Sequence, residues 1–331
     1  MQVAVLGAGS WGTALAKLLA DKGNPTVIWA HRPELADEIN QKHVNAKYLP
    51  GFELPPTLSS TGDLATALKG AELVVVVVPS HALRSVVREA KPFISRDALV
   101  CSASKGIEND SLELMSEVLL EELGEECESR LTYLSGPSFA KEVALQHPTT
   151  VVIAGTNEKN TVRVQHAFAT DRFRTYSSHD VIGVEIGGAL KNVIAIAAGC
   201  VDGLGFGHNS RAAVITRGLA EIGRLAAKKG ANPLTLAGLS GMGDLVLTCT
   251  GELSRNRTVG IELGKGRTLE DVLSTLGHVA EGVKTAKSAY DLSVKLDVDM
   301  PITAEVYRVL YEHKPPRQAV TDLMTRALTK E

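Results

Sequence analysis

The spacing of apolar residues changes character about halfway along the chain. In the first half, short unbroken apolar runs recur at residues 3–6, 26–30, 73–78, 98–101, 131–134 and 150–153, with a shorter one at 173–176. Runs without polar alternation predict strands covered on both faces, as a parallel sheet requires. Helical periods at 80–90 and 111–123 lie between them. Beyond residue 180 the strand pattern stops, and helical periods follow at 181–198, 210–228, 268–276, 281–296, 303–312 and 317–329. Pro301, Pro315 and Pro316 stand at helix starts, where a missing N–H costs little. No repeat, low-complexity segment or long linker interrupts the pattern. The reading is a sheet-containing domain over residues 1–179 and an all-helical domain over 180–331, closely docked, with a cleft between them for a substrate.

Composition narrows the range of partners. The 331 residues suffice for two domains, and a net charge of −3 offers no basic field for nucleic acid or anionic lipid. The four cysteines (Cys101, Cys127, Cys200, Cys249) are far apart, which predicts reduced, buried thiols rather than disulfides or a metal site. No targeting segment is expected ahead of the first strand. The longest apolar run, 73–78, is too short to span a bilayer, which needs about 20 residues. The expectation is a cytoplasmic protein without membrane insertion, acting on a small molecule. The apolar helical half allows a homodimer.

The strongest local signal is Gly7-Ala8-Gly9-Ser10-Trp11-Gly12, directly behind the first apolar run. In a strand-to-helix turn of this type, the first glycine permits the tight turn. The second lets backbone approach a pyrophosphate, and the third lets helix and strand pack closely. The N–H groups and dipole of the following helix suit the phosphates. The fold class that follows is α/β: an N-terminal Rossmann-like, doubly wound sheet plus a C-terminal helical domain. The second strand ends in His31-Arg32, without the acid that would hold a ribose 2′-hydroxyl. Arg32 is either a solvated loop residue or a guanidinium suited to a 2′-phosphate, and the second reading favours NADP(H) while NAD(H) stays admissible.

Four further segments carry chemistry. The stretch 185–199 is almost wholly apolar or small, so Lys191 within it must be paired, extended to solvent, or functional. Gly187 and Gly188 share its face and leave room there for a substrate. Lys105 follows a strand, which places it either at the carboxyl edge of the sheet over the cofactor crevice or in a surface loop. Asp244 follows the turn Gly241-Met242-Gly243 and either caps a helix or presents a carboxylate. Ser254-Arg255-Asn256-Arg257 opens a helix as an anion site or as a Ser254 cap with solvated arginines. Glu281 either caps the next helix or reaches a cofactor.

Together GAGSWGTALA (7–16), SKGIE (104–108), SGPSFA (135–140), GGALKNVIAIAAG (187–199), GMGDL (241–245) and SRNR (254–257) resemble the bacterial-type NAD(P)-dependent glycerol-3-phosphate dehydrogenase family in order and spacing. The resemblance covers essentially the whole chain. It implies NAD(P)H-dependent, reversible reduction of dihydroxyacetone phosphate to sn-glycerol 3-phosphate, feeding glycerophospholipid synthesis. Lys191 would transfer the proton. Lys105, Gly136, Ser138, Asp244, Ser254, Arg255 and Asn256 would line the substrate. Gly7, Gly9, Ser10, Trp11, Gly12, His31, Arg32, Lys105, Ala140, Arg255, Val279 and Glu281 would contact the nucleotide. Two other readings compete. One is a β-hydroxyacid or sugar-acid dehydrogenase, which wants a carboxylate site. The other is a non-catalytic NADP-sensing module, which needs neither a buried Lys191 nor the SRNR helix.

Overall fold

The computed structural model describes residues 1–276, 280–328 and 330. Among them ten strands form: β1 (Val3–Leu6), β2 (Thr26–Trp29), β3 (Val44–Asn45), β4 (Leu49–Glu53), β5 (Leu58–Thr61), β6 (Leu73–Val76), β7 (Leu99–Ser102), β8 (Leu131–Ser135), β9 (Thr149–Ala154) and β10 (Phe173–Ser178). Eight make one sheet in the order β10-β9-β8-β7-β6-β1-β2-β5, while β3 and β4 pair separately as an antiparallel hairpin. Every residue of β1, β6, β7 and β8 is buried, as unbroken apolar runs demand. From β1 the chain winds out to β2 and β5, then crosses back to β6, β7 and β8. This is the doubly wound order. Its reversal point lies between β1 and β6, where such sheets bind ligands beyond the strands' carboxyl ends.

Three features depart from the sequence pattern. β5 reads Leu58-Ser59-Ser60-Thr61, too polar to register as an apolar run, yet it pairs with β2 at the sheet edge. The β3–β4 hairpin lies in a mixed stretch, broken by Pro50 and Gly51, that carries neither an apolar run nor a clean alternation. The sheet is also not wholly parallel, because β8 and β9 run antiparallel. The helix joining them, Ala140–Ala144, has five residues and covers about 7.5 Å, whereas β8 is about 17 Å long. So short a helix does not return the chain to the start of β8, and β9 enters from the opposite end.

The chain divides into two compact units, Met1–Lys105 with Glu113–Val184, and Gly106–Leu112 with Glu185–Glu331. The sequence pattern puts the change at 179/180. In the structure the helix Val181–Gly203 begins in the first unit and continues in the second. The segment Gly106–Leu112 also joins the second unit, where Ile107 O accepts a hydrogen bond from Ser288 Oγ at 3.1 Å. That long helix is the apolar axis of the second unit, and residues 186–196 are buried without a break. It corrects the membrane estimate drawn from residues 73–78. By length and composition it could cross a bilayer, with mean hydropathy 1.6 in a window that is 78% buried inside the protein.

Glycines decide how this helix is packed. A Cβ on Gly199 would lie 2.1 Å from Arg257 O, and one on Gly203 would lie 2.2 Å from Ile261 O. On the facing helix Arg255–Gly264, a Cβ on Gly260 would lie 2.0 Å from Ile196 O and one on Gly264 would lie 2.5 Å from Cys200 O. Two Gly-x-x-x-Gly faces therefore bring the two backbones into direct contact. Gly260→Val should lower the unfolding free energy by about 3 kcal/mol, read from urea denaturation. Gly223 is the control. It sits inside the helix His208–Lys228, and a Cβ there would approach only Leu236, at 3.9 Å. Gly223→Ala should stabilise by about 0.5–1 kcal/mol.

Candidate active site

In the first unit the glycine turn follows β1 and leads into the helix Ser10–Asp21. Gly7 has φ +122°, and a Cβ on it would sit 2.5 Å from Val77 O. One on Gly12 would strike Gly7 O at 1.9 Å. Both glycines are thus demanded by the protein itself. Gly9 is different, because a Cβ there would meet nothing within 4 Å. It is the N-cap residue, no side chain caps the helix, and no acid stands in its first turn. The helix start is left open to an anion.

The neighbouring nucleotide residues take distinct positions. Ser10 Oγ donates to Tyr48 O at 2.6 Å. Trp11 packs on the small cluster of Ala14, Leu49 and Ala144, as do Phe52 and Ala140. Arg32 donates to the Tyr48 hydroxyl, and its Cζ lies 5.7 Å from the ring centroid, with Lys47 Nζ at 5.5 Å. His31 is exposed and meets Trp29 edge-on at 5.9 Å, apart from this group. At the carboxyl ends of β7 and β8, Lys105 Nζ reaches towards Gly136 O at 3.5 Å, and Ser138 Oγ donates to the same carbonyl at 2.9 Å. Gly136 has φ +139°, and a Cβ on it would lie 2.9 Å from Val151 Cα. Lys105, Gly136 and Ser138 thus converge on one oxygen.

In the second unit Lys191 is 8% exposed and pairs with the fully buried Asp244 carboxylate. Asp244 opens the helix Asp244–Thr250 directly after the π-helical turn Leu239–Gly243. The N-cap is Gly243, so the Asp244 side chain is spent on the lysine and not on capping. Short π-helical segments are rare and are frequent at functional sites. The room expected beside Gly187 is not there. A Cβ on Gly187 would fall 2.4 Å from Ser240 O, so its missing side chain admits this turn and with it the Asp244 helix.

The SRNR segment splits by residue. Ser254 is the N-cap of the helix Arg255–Gly264, its Oγ accepting from Arg257 N at 3.3 Å. Arg257 is not solvated. It holds Asp202 through Nε at 2.9 Å and a terminal nitrogen at 2.6 Å. Arg255 is exposed and has no hydrogen bond or ion pair among the described residues. Asn256 is buried and donates to Asn192 Oδ1 at 2.9 Å, while its Oδ1 accepts from Gly282 N at 2.9 Å. Gly282 lets this happen, since a Cβ would lie 2.6 Å from Asn192 O. Glu281 opens the helix Glu281–Leu296 beside it. Val279 lies outside the described residues. Asn192 joins the site with no motif to announce it, and its signal in the sequence is an amide in an otherwise apolar helix.

A nucleotide-type sheet in one unit and a buried lysine–carboxylate pair in a helical second unit define the class, an NAD(P)-dependent oxidoreductase. The N-terminal model of NAD-dependent glycerol-3-phosphate dehydrogenase matches residues 2–161, and the C-terminal model matches residues 180–321. The chain belongs to this family. It is 56% identical over 330 residues to the glycerol-3-phosphate dehydrogenase (NAD(P)+) of Geobacter sp. (strain M21), covering 100% of this chain and 98% of that protein. The crystal structure of glycerol-3-phosphate dehydrogenase from Coxiella burnetii superposes with a TM-score of 0.94 at 41% identity, over 98% of this chain and 99% of that one. A ketopantoate reductase from Ralstonia eutropha, at 18% identity and TM-score 0.61 over 97% of this chain and 100% of that one, shares the fold alone.

The four cysteines are free and buried, and no metal-binding cluster occurs among the described residues. Burial pushes the thiols of Cys101, Cys200 and Cys249 from the usual 9.0 up to about 12, and for Cys249 the nearby Lys191 charge only partly opposes it. These thiols should resist iodoacetamide at pH 8 in the native protein and react fully in urea, as mass spectrometry reports. The unfolded chain releases these protons first, so between pH 9 and about 12 stability should fall as pH rises.

Proposed function

We propose that this chain catalyses the reversible reduction of dihydroxyacetone phosphate to sn-glycerol 3-phosphate with NADPH or NADH. The observation that carries the reading is the buried Lys191–Asp244 pair, in a chain matched along nearly its whole length by one dehydrogenase family. The glycine turn fits a dinucleotide pyrophosphate. Gly9 leaves a gap that no protein atom fills, in front of the free N–H groups of an uncapped helix. Arg32, steadied by Tyr48 and accompanied by Lys47, supplies positive charge for a ribose 2′-phosphate, which supports NADPH.

When bound, a reduced nicotinamide supplies one hydride to the carbonyl carbon, and the C=O π pair moves to the oxygen. The proton for that oxygen comes from this chain. The Lys191 ammonium donates it and is left a neutral amine, and in the oxidative direction the amine takes the hydroxyl proton. Before transfer the same ammonium stabilises the charge growing on the oxygen. Asp244 holds the lysine in one orientation. Arg255, with its guanidinium unengaged at a helix start, binds the substrate phosphate, and Asn256, fixed by Asn192 and Gly282, supports it. In the first unit, Lys105 and Ser138 stand together at the Gly136 carbonyl, a polar group suited to a small oxygen-rich substrate. Four free buried cysteines suit the reducing cytoplasm.

Turnover of NADPH with dihydroxyacetone phosphate, against 3-oxo acids of similar size, tests the activity directly. A preference for the oxo acids would overturn it. Lys191→Ala should cut kcat/KM roughly a hundred- to ten-thousand-fold while NADPH still binds, because the nucleotide residues named in the first unit are untouched. That variant also strands the Asp244 charge, at a cost of about 3–5 kcal/mol. Lys191→Met combined with Asp244→Leu should recover the stability and leave the enzyme inactive. Arg255→Ala should raise KM for dihydroxyacetone phosphate about 10- to 100-fold, and Arg255→Lys should restore it only in part.

A further inference from the structure

Asn45 lies in the hairpin strand β3 between Val44 and Ala46 and is fully buried, although no sequence motif marks it. Its Nδ2 donates to Ala8 O at 3.0 Å and to Thr13 Oγ1 at 2.8 Å. Its Oδ1 accepts from Tyr48 N at 3.1 Å. One amide therefore spends both donor hydrogens and its acceptor. Ala8 sits between the first two glycines of the turn, and Thr13 lies in the first turn of the helix behind it. The amide thus grips the turn on both sides of Gly9. Aspartate would lose both donors and a hydrophobic residue all three bonds.

The hairpin carries the connection onward. Tyr48 O accepts from Ser10 Oγ at 2.6 Å, and its hydroxyl accepts from Arg32. Leu49 and Phe52 of β4 share an apolar cluster with Trp11 and Ala14 of the helix Ser10–Asp21, which keeps the hairpin from swinging away. Three groups far apart in sequence (the glycine turn, the β3–β4 hairpin and the end of β2) are thereby locked together.

We infer that Asn45 is a positioning residue for the dinucleotide turn and, through Tyr48, for the Arg32 guanidinium that reads a ribose 2′-phosphate. The inference rests on the cofactor site proposed above. Asn45 holds the backbone around Gly9 at the spacing a pyrophosphate needs. Tyr48 then converts that anchorage into cofactor choice, because a guanidinium held by ring and hydroxyl loses less freedom on meeting a phosphate.

The test is calorimetric titration of NADPH and NADH into the wild-type chain, Asn45→Ser and Tyr48→Phe, with thermal unfolding recorded for each. Asn45→Ser should weaken both nucleotides about tenfold, with kcat at saturating nucleotide within about twofold of wild type. Tyr48→Phe should weaken NADPH about five- to tenfold and NADH by less than about twofold. Unaltered nucleotide affinities in Asn45→Ser, or a lowered melting temperature with nothing else changed, overturn the inference. An equal loss of both nucleotides in Tyr48→Phe removes the step to Arg32. If Asn45→Ser does not fold, Tyr48→Phe decides. Should wild type bind nucleotide without reducing dihydroxyacetone phosphate, the proposed reaction fails while this inference stands on its binding data.

Discussion

Direct contact between main chains, permitted by glycine, is the constraint on which the helical unit depends. The helix Val181–Gly203 meets the turn Leu239–Gly243 at Gly187, and it meets the helix Arg255–Gly264 at Gly199 and Gly203. The first approach lets Asp244 reach Lys191. The second sets the depth at which Ser254, Arg255 and Asn256 begin their helix. Asn256 then bridges Asn192 on one side and Gly282 on the other. The polar residues of the site lie within bonding distance because the backbones beneath them touch, and shape here comes before charge.

The burial of the Lys191–Asp244 pair follows from the same constraint. A charged pair removed from water gains stability only when its geometry is good and its remaining polar atoms are satisfied. Asp244 is wholly buried at a helix start whose N–H groups favour a negative charge. An arrangement of this kind adds little to folding. What it does is hold an ammonium in one orientation within an apolar helix.

How much of this the chain announces depends on the distance over which each feature is decided. β1, β6 and β7 are legible because their burial is written in consecutive residues. The turn 7–12 is legible because its glycines answer to a local backbone path. Lys191 is legible because a cation interrupts an apolar helix. Asn45 is not, since its partners Ala8 and Thr13 lie more than 30 residues away and no neighbour marks it. β5 escapes because an edge strand needs fewer apolar residues than a central one. The antiparallel entry of β9 follows from the length of a connection, and apolar periodicity carries no information about strand direction. Gly187 announces a place without a side chain but not its occupant, because the turn at Ser240 that fills the space lies about 50 residues away.

The two sets of contacts along the helix Val181–Gly203 differ in how they can change over evolutionary time. Lys191 and Asp244 are side-chain partners, so loss of one can be offset for folding by altering the other. The glycine contacts allow no such compensation. The atom that a Cβ on Gly260 would strike is the carbonyl oxygen of Ile196, which every residue type would present at that position. No second-site replacement at position 196 can make room. A loss within the ion pair can therefore be repaired for folding by a second change at its partner, while a side chain gained in the glycine framework beneath it finds no such repair.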